Sequence, residues 1–134
     1  MGRLVVDTNA LIQSIASKNP YHDLWVSLFD GRNQLCVSNE IIEEYEEVLE
    51  LRISSSFAKI IIAKILNNPH TLLITPYFSY NLIIADPDDN KFVDCAVAAE
   101  AKFIVTEDRH FQILKEIDFP KVDIITLDEI IQII

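Results

Sequence analysis

The chain has 134 residues, half of them hydrophobic, with two glycines and five prolines, so it suits one folded domain spanning residues 1–134 rather than a disordered or repetitive chain. Its net charge of −10 argues against a broad basic surface for nucleic acid, although an enzyme whose bound cations neutralise the local field stays open. Its apolar runs are far shorter than the roughly 20 residues of a membrane span, and we expect a cytoplasmic protein. The negative charge suggests that a protein partner, if there is one, is basic.

Short apolar strands alternate with amphipathic helices along the chain. In chain order the first half is predicted as strand Arg3–Val6, helix Thr8–Ala16, a helix from Asn19-Pro20 closed by Gly31, strand Gln34–Val37, and helices Glu40–Arg52 and Phe57–Leu66. The second half is predicted as strand Thr71–Thr75, the irregular connection Pro76–Asp89, helix Asn90–Ala101, strand Phe103–Thr106, helix Asp108–Ile117, strand Val122–Thr126 and helix Leu127–Ile133. This alternation predicts an α/β fold with a parallel sheet covered by helices on both faces.

Four acidic residues fall where ligands bind in such sheets, beyond the carboxyl ends of the strands. Asp7 follows the first strand and Asp108 follows the fourth. Glu44 lies about one and a half turns into the helix after the second strand, and Asp94 lies in the first turns of the helix after the long connection. All four are expected near one end of the sheet.

Each acid also has a simpler explanation. Asp7 and Asp108 could cap helices, and Glu44 is one of six glutamates between Glu40 and Glu50, most of which should be solvated. The Asp86–Asp89 cluster is most simply a turn followed by a cap.

Their combination points to a cation. Two carboxylates about 5 Å apart repel by roughly 3 kcal/mol at an effective dielectric of about 20, so a convergent group raises a pKa or needs a cation. Oxygen ligands suit Mg²⁺ or Mn²⁺, which can activate phosphodiester hydrolysis.

Four motifs together resemble those of PIN-domain nucleases. They are Val5-Val6-Asp7-Thr8-Asn9, Ser38-x-x-Ile41-x-x-Glu44-Tyr45, the stretch from Asp86 to Ala96, and Val105-Thr106-Glu107-Asp108-Arg109-His110-Phe111. Each alone is weak, but their order and spacing extend from Arg3 to about Thr126. The type most similar to this chain is the toxin of bacterial and archaeal toxin–antitoxin pairs.

The resemblance implies a three-layer α/β/α sandwich with a five-stranded parallel sheet in the order 3-2-1-4-5. It implies an endoribonuclease that uses Mg²⁺ or Mn²⁺ to cleave single-stranded RNA, with a cognate antitoxin and a homodimeric state. It also implies roles for individual residues. The four acids that match the family's metal-binding positions are Asp7, Glu44, Asp94 and Asp108.

Neighbouring residues match supporting positions. Asn9 and Thr106 match polar positions that orient the acids, and Arg109, or alternatively Lys91, could contact phosphate, although an ordinary surface charge explains Arg109 as well. Glu43 is the alternative to Glu44, but Glu44 borders the apolar helix face that carries Ile41 and Val48. Relatives often have a small residue in place of Glu107, whose extra charge could weaken phosphate approach.

Other functions remain open. A catalytically weak PIN-fold module could act through protein contacts of the helices Glu40–Arg52 and Phe57–Leu66. A haloacid dehalogenase-like phosphatase or a receiver domain also places acids after strands, but the first needs a second Asp where Asn9 stands, and the second needs a Lys after strand five. Cys36 and Cys95 are expected as reduced core residues, and the three scattered histidines make a zinc site improbable.

Overall fold

Five short strands form one all-parallel sheet in a computed structural model of the chain, which describes residues 2–134. The strands are β1 (Gly2–Val6), β2 (Asn33–Val37), β3 (Leu72–Leu73), β4 (Phe103–Val105) and β5 (Ile124–Ile125). They are arranged in the order β3-β2-β1-β4-β5, and every neighbouring pair is parallel. The predicted fold class and strand order are therefore confirmed.

Six α-helices connect and cover the strands. They are α1 (Thr8–Ile15), α2 (His22–Phe29), α3 (Asn39–Arg52), α4 (Ser55–Asn67), α5 (Asn90–Ala99) and α6 (Leu127–Ile133). Two 3₁₀ segments, Pro87–Asp89 and Arg109–Glu116, lie on either side of α5 and β4. Within residues 2–134 no helix has both the length and the apolar character needed to cross a bilayer.

The central strands are buried on both faces, which is why they are apolar at consecutive positions. Val5 and Val6 in β1 and Ile104 and Val105 in β4 have no exposed surface. Helix α5 packs against β1, β2 and β4, and α2 packs against β2. A strand covered on both sides cannot alternate apolar with polar residues, so the continuous apolar runs follow from the parallel architecture.

Some predicted elements differ at their ends. Helix α2 begins at His22 rather than at Asn19-Pro20, because the Asn19 side chain accepts a hydrogen bond of 2.8 Å from the Tyr21 amide and closes a turn before the helix. The segment predicted as helix Asp108–Ile117 is a 3₁₀ helix from Arg109 to Glu116. Cys36 and Cys95 are buried free thiols, as expected.

Candidate metal centre at the carboxyl end of the sheet

Asp7 and Asp108 follow neighbouring strands, and the pairing of those strands brings them together. Val6 pairs with Val105 in the parallel register of β1 and β4, and the Asp7 amide donates a hydrogen bond of 2.9 Å to the Val105 carbonyl. Since β2 lies on the other side of β1, the strand order reverses at β1 and β4. This is the switch point at which open α/β sheets bind ligands.

Thr106 links the Asp7 carboxylate to the backbone of Asp108. Its hydroxyl donates a hydrogen bond of 2.9 Å to Asp7 Oδ2 and accepts one of 3.0 Å from the Asp108 amide. Asp108 then caps the following 3₁₀ segment by accepting a hydrogen bond from the His110 amide through Oδ1. Because Thr106 is buried, it fixes the orientation of Asp7 relative to the turn that carries Asp108.

The environment of Asp7 disfavours its charge. Burial raises the pKa of its carboxyl to about 6, and the negative charges of Asp108 and Glu44 act in the same direction. Hydrogen bonds from the Thr106 hydroxyl and the Thr8 amide partly oppose this rise in pKa. Only 6% of Asp7 is exposed. Its carboxyl group is therefore stabilised either by protonation or, when it is ionised, by a nearby cation.

Glu44 faces the same site from α3. Ser38 caps this helix by accepting a hydrogen bond from the Ile41 amide, and the turn that follows brings Glu44 over the end of β1. The Glu44 carboxylate accepts hydrogen bonds from the Thr8 hydroxyl and from Lys91 Nζ, the second at 2.6 Å. Thr8 and Lys91 therefore hold Glu44 in place, while Glu43 beside it is exposed.

An open cleft of about 420 Å³ leads to Asp7 and Asp108. The side chains that line it are Asp7, Asn9, Gln13, Arg52, Glu107 and Asp108. Arg52, which the sequence analysis did not select, contributes a cation to this cleft, whereas Arg109 is exposed outside it. Glu107 accepts a hydrogen bond of 2.8 Å from the Leu127 amide, so one oxygen of the extra acid is engaged at the start of α6.

Asp94 lies in a different environment. Its Oδ1 accepts a hydrogen bond of 3.0 Å from the Tyr80 amide, and its side chain lines a groove of about 580 Å³ with Tyr77, Phe78 and Val97. Burial raises its pKa, and the acid whose charge adds to this rise is Glu40 rather than Asp7 or Asp108. The contacts of Asp94 and the charge that acts on it therefore differ from those of Asp7 and Asp108.

Asp89 is the acid that joins them. It is 9% exposed, and burial raises its pKa to about 7, followed by the charges of Asp86, Asp108 and Asp7. Its Oδ2 is inaccessible to solvent and has no hydrogen-bond partner. Sequence reasoning assigned Asp89 to a turn and cap, and the only signal for another role was its place immediately before the helix that carries Asp94.

The carboxylate oxygens of this site fit a divalent cation. Asp7 and Asp89 offer buried carboxylate oxygens and Asp108 a half-buried one, and the buried Asp89 Oδ2 accepts no hydrogen bond from the protein. Carboxylate oxygens beside an open cleft are the ligand set that hard divalent cations favour. A bound cation would favour the ionised forms of Asp7 and Asp89, which burial disfavours by raising their pKa values to about 6 and about 7.

The fold and the site together define a doubly wound α/β domain with an acidic centre at its switch point. The chain belongs to the PIN domain family, whose sequence profile matches residues 3–110. No curated protein sequence matches the chain.

Solved structures share the fold at low sequence identity. VapBC2 from Rickettsia felis, solved bound to a promoter DNA fragment, has a TM-score of 0.64 and 14% identity, with 92% of this chain and 98% of that chain covered. DNA-bound VapBC from Salmonella typhimurium has a TM-score of 0.64 and 16% identity, with 95% and 99% covered. The PIN domain endonuclease Utp24 has a TM-score of 0.52 and 16% identity, with 92% and 84% covered.

Proposed function

We propose that this protein is a divalent-metal-dependent endoribonuclease that cleaves single-stranded RNA and acts as the toxin of a toxin–antitoxin pair. The observation that carries the proposal is the buried Asp7 carboxylate, which Thr106 links to Asp108 at the switch point of the sheet. Membership of the PIN domain family supports nuclease activity, as does the fold likeness to a PIN domain endonuclease. The toxin assignment is supported by the motif resemblance and by the fold likeness to VapBC proteins.

In this proposal Asp7, Asp108 and a third acid hold Mg²⁺ or Mn²⁺ at the centre, and Glu44 completes the acidic set. When bound, a divalent ion would stabilise negative charge on a phosphate oxygen. It would also lower the pKa of a water molecule bound to it, so that hydroxide is available near neutral pH. Thr106 keeps Asp7 oriented, and Asn9 lines the cleft through which the RNA backbone approaches. Arg52 is better placed than Arg109 to contact phosphate, because Arg52 lines that cleft.

RNA cleavage by matched variants tests the activity. Wild-type protein, Asp7→Asn and the exposed control Asp118→Asn are purified in parallel and incubated with a labelled single-stranded RNA and Mn²⁺ or Mg²⁺. Loss of a ligand is expected to lower the rate by about 100-fold or more, while Asp118→Asn cleaves like wild type and EDTA stops both. Equal, EDTA-insensitive cleavage by wild type and Asp7→Asn would mean that the activity belongs to a contaminant.

Two further variants test which residue is the third acid of the metal centre. Motif register favours Asp94, but the charge coupling of Asp89 to Asp7 and Asp108 supports Asp89, and we propose Asp89. Asp89→Asn is expected to lower Mn²⁺ affinity in calorimetry by about tenfold or more, and Asp94→Asn by much less. The reverse order would return the role to Asp94.

We also propose a homodimer that forms through the α3–α4 hairpin. Large apolar side chains there are more than half exposed, and they are Leu51, Ile53, Ile60 and Leu66. This exposed apolar surface also supports the second candidate function, a catalytically weak module that acts through protein contacts. A cognate antitoxin would bind on this surface or beside it. Light scattering of wild type and Ile60→Glu is the test: wild type should have twice the monomer mass and the variant one monomer mass, and a monomeric wild type would contradict the dimer.

A further inference from the structure

A second group of potential ligands lies beside the Asp7–Asp108 pair. Asp86 and Asp89 come from the turn before α5, and His110 comes from the segment after β4. One ligand atom from each lies within 4.8 Å of the other two. His110 Nδ1 is 3.9 Å from Asp86 Oδ2, 3.7 Å from Asp89 Oδ2 and 3.4 Å from Asp108 Oδ1. The fold thus brings the segment with Asp86 and Asp89 against the segment with Asp108 and His110, so that one imidazole nitrogen lies among three carboxylates.

Two of these atoms are buried without a partner. Across residues 2–134 only three side-chain atoms are both inaccessible and unpaired, and they are Thr71 Oγ1, Asp89 Oδ2 and His110 Nδ1. The last two face each other. An unsatisfied buried polar atom destabilises a fold, and one group that binds both atoms would relieve this cost for the pair. The His110 side chain is 36% exposed overall, so the ring lies at the surface while its Nδ1 faces inward.

The spacing suits a small metal ion. Ligand atoms about 2.1 Å from an ion, at tetrahedral or octahedral angles, lie about 3.0 to 3.5 Å from one another. The distances of His110 Nδ1 to Asp86 and Asp89, 3.9 and 3.7 Å, exceed this range by only a few tenths of an ångström.

We propose that Asp86, Asp89 and His110 form a second cation site that prefers a transition-metal ion, Mn²⁺ or Zn²⁺, over Mg²⁺. An imidazole nitrogen is a good ligand for first-row transition metals and a poor one for Mg²⁺, which keeps oxygen ligands and waters. The site goes beyond the proposed nuclease centre, because Asp86 and His110 have no part in that centre. Asp89 is the residue that both share.

Histidine resonances provide the test on the full-length protein. In spectra of ¹⁵N-labelled side chains, one equivalent of Zn²⁺ should shift the His110 Nδ1 signal, whereas Mg²⁺ at the same concentration should not. His22, whose Nδ1 lies 2.9 Å from the Ser14 carbonyl, and His70 are internal controls that should not shift. A His110 signal that ignores millimolar Zn²⁺ and Mn²⁺, or responds equally to Mg²⁺, would overturn the proposal; in the first case His110 would serve only as an internal counter-ion.

Two variants separate this site from the nuclease centre. Asp86→Asn should weaken the Zn²⁺ response of His110 by about tenfold or more, and the substituted amide can still accept the hydrogen bond from the Asp88 amide that closes the turn. Asp7→Asn should abolish RNA cleavage yet affect the His110 response much less. If wild-type protein cleaves no RNA while His110 still binds Zn²⁺, the proposed function fails and this site stands. If Asp86→Asn leaves the response unchanged, this site fails whatever the RNA assay gives.

Discussion

At the scale of single residues, Asp7 is placed where its ionised form destabilises the metal-free fold. Its carboxyl pKa rises from the ordinary 3.8 to about 6 because the group is buried among other acids. If this position served stability alone, an asparagine would suit it better, because its amide oxygen can accept the hydrogen bond from Thr106 without burying a charge. Retaining an acid here is understandable if its charge is needed to bind a cation.

The pH dependence of stability follows from that pKa. The unfolded chain releases the Asp7 proton near pH 4 and the folded chain near pH 6, so the folded state loses stability as pH rises across this window. In EDTA, Asp7→Asn should therefore exceed wild type in unfolding free energy by about 2 to 3 kcal/mol at pH 8, with the difference vanishing near pH 4. Urea unfolding measures this, and an Asp7→Asn variant no more stable at pH 8 than at pH 4, relative to wild type, would contradict it.

Glu44 and Glu43 are adjacent in sequence but differ in environment. Glu44 is held by Thr8 and Lys91, and its charge acts on Asp7, whereas Glu43 is exposed. Glu44→Gln should lower Mn²⁺ affinity and RNA cleavage by about tenfold or more, and Glu43→Gln should leave both near wild type. Calorimetry and the RNA assay provide the values; a larger effect of Glu43→Gln would assign the role to the other glutamate.

How far the sequence predicts the site depends on how each acid is attached. Asp7 directly follows β1 and Asp108 lies three residues after the end of β4, so the pairing of these strands brings the two together. Asp94 sits on α5, five residues beyond Asp89, a separation of about 7.5 Å along a helix. The predicted start of this helix at Asn90 is confirmed and leaves Asp89 nearest the strand ends, but the motif register alone points to Asp94. The pairing of Asp89 with His110 depends on tertiary structure and has no sequence signature.

At the scale of elements, the sequence predicts types better than lengths. Strands β3 and β5 have two residues each rather than the five predicted, because edge strands pair on one side only. The segment Arg109–Glu116 buries Phe111 and Leu114, three residues apart, which places both on one face of a 3₁₀ helix. The apolar pattern predicts a helix here, but an i, i+3 pair suits an α-helix and a 3₁₀ helix alike and does not distinguish them.

Helix α3 is fixed to the end of β1 by a buried side chain. Tyr45 has no exposed surface, and its hydroxyl donates a hydrogen bond to the Val6 carbonyl immediately before Asp7. Tyr45→Phe leaves that carbonyl without this donor and should lower the unfolding free energy by about 1 to 2 kcal/mol in urea denaturation. Tyr21→Phe removes an exposed hydrogen bond to Asp128 and should cost less. Equal losses would mean that the Tyr45 bond does not fix α3 to β1.

At the scale of the whole molecule, an acidic protein is proposed to bind an acidic polymer. The net charge of −10 repels RNA at long range, so productive approach depends on the cations held at the carboxyl end of the sheet and on Arg52 in the cleft. The same charge would favour a basic segment of an antitoxin. The composition predicts the excess of negative charge, but the fold shows that three acids and one arginine line the same cleft.

Manganese located in crystals tests the central claim most directly. Anomalous difference maps from crystals of wild-type protein grown with Mn²⁺ should show a peak in contact with the carboxylates of Asp7 and Asp108. Crystals of Asp7→Asn under the same conditions should lack that peak. A wild-type crystal saturated with Mn²⁺ that shows no density between these two carboxylates would contradict the account.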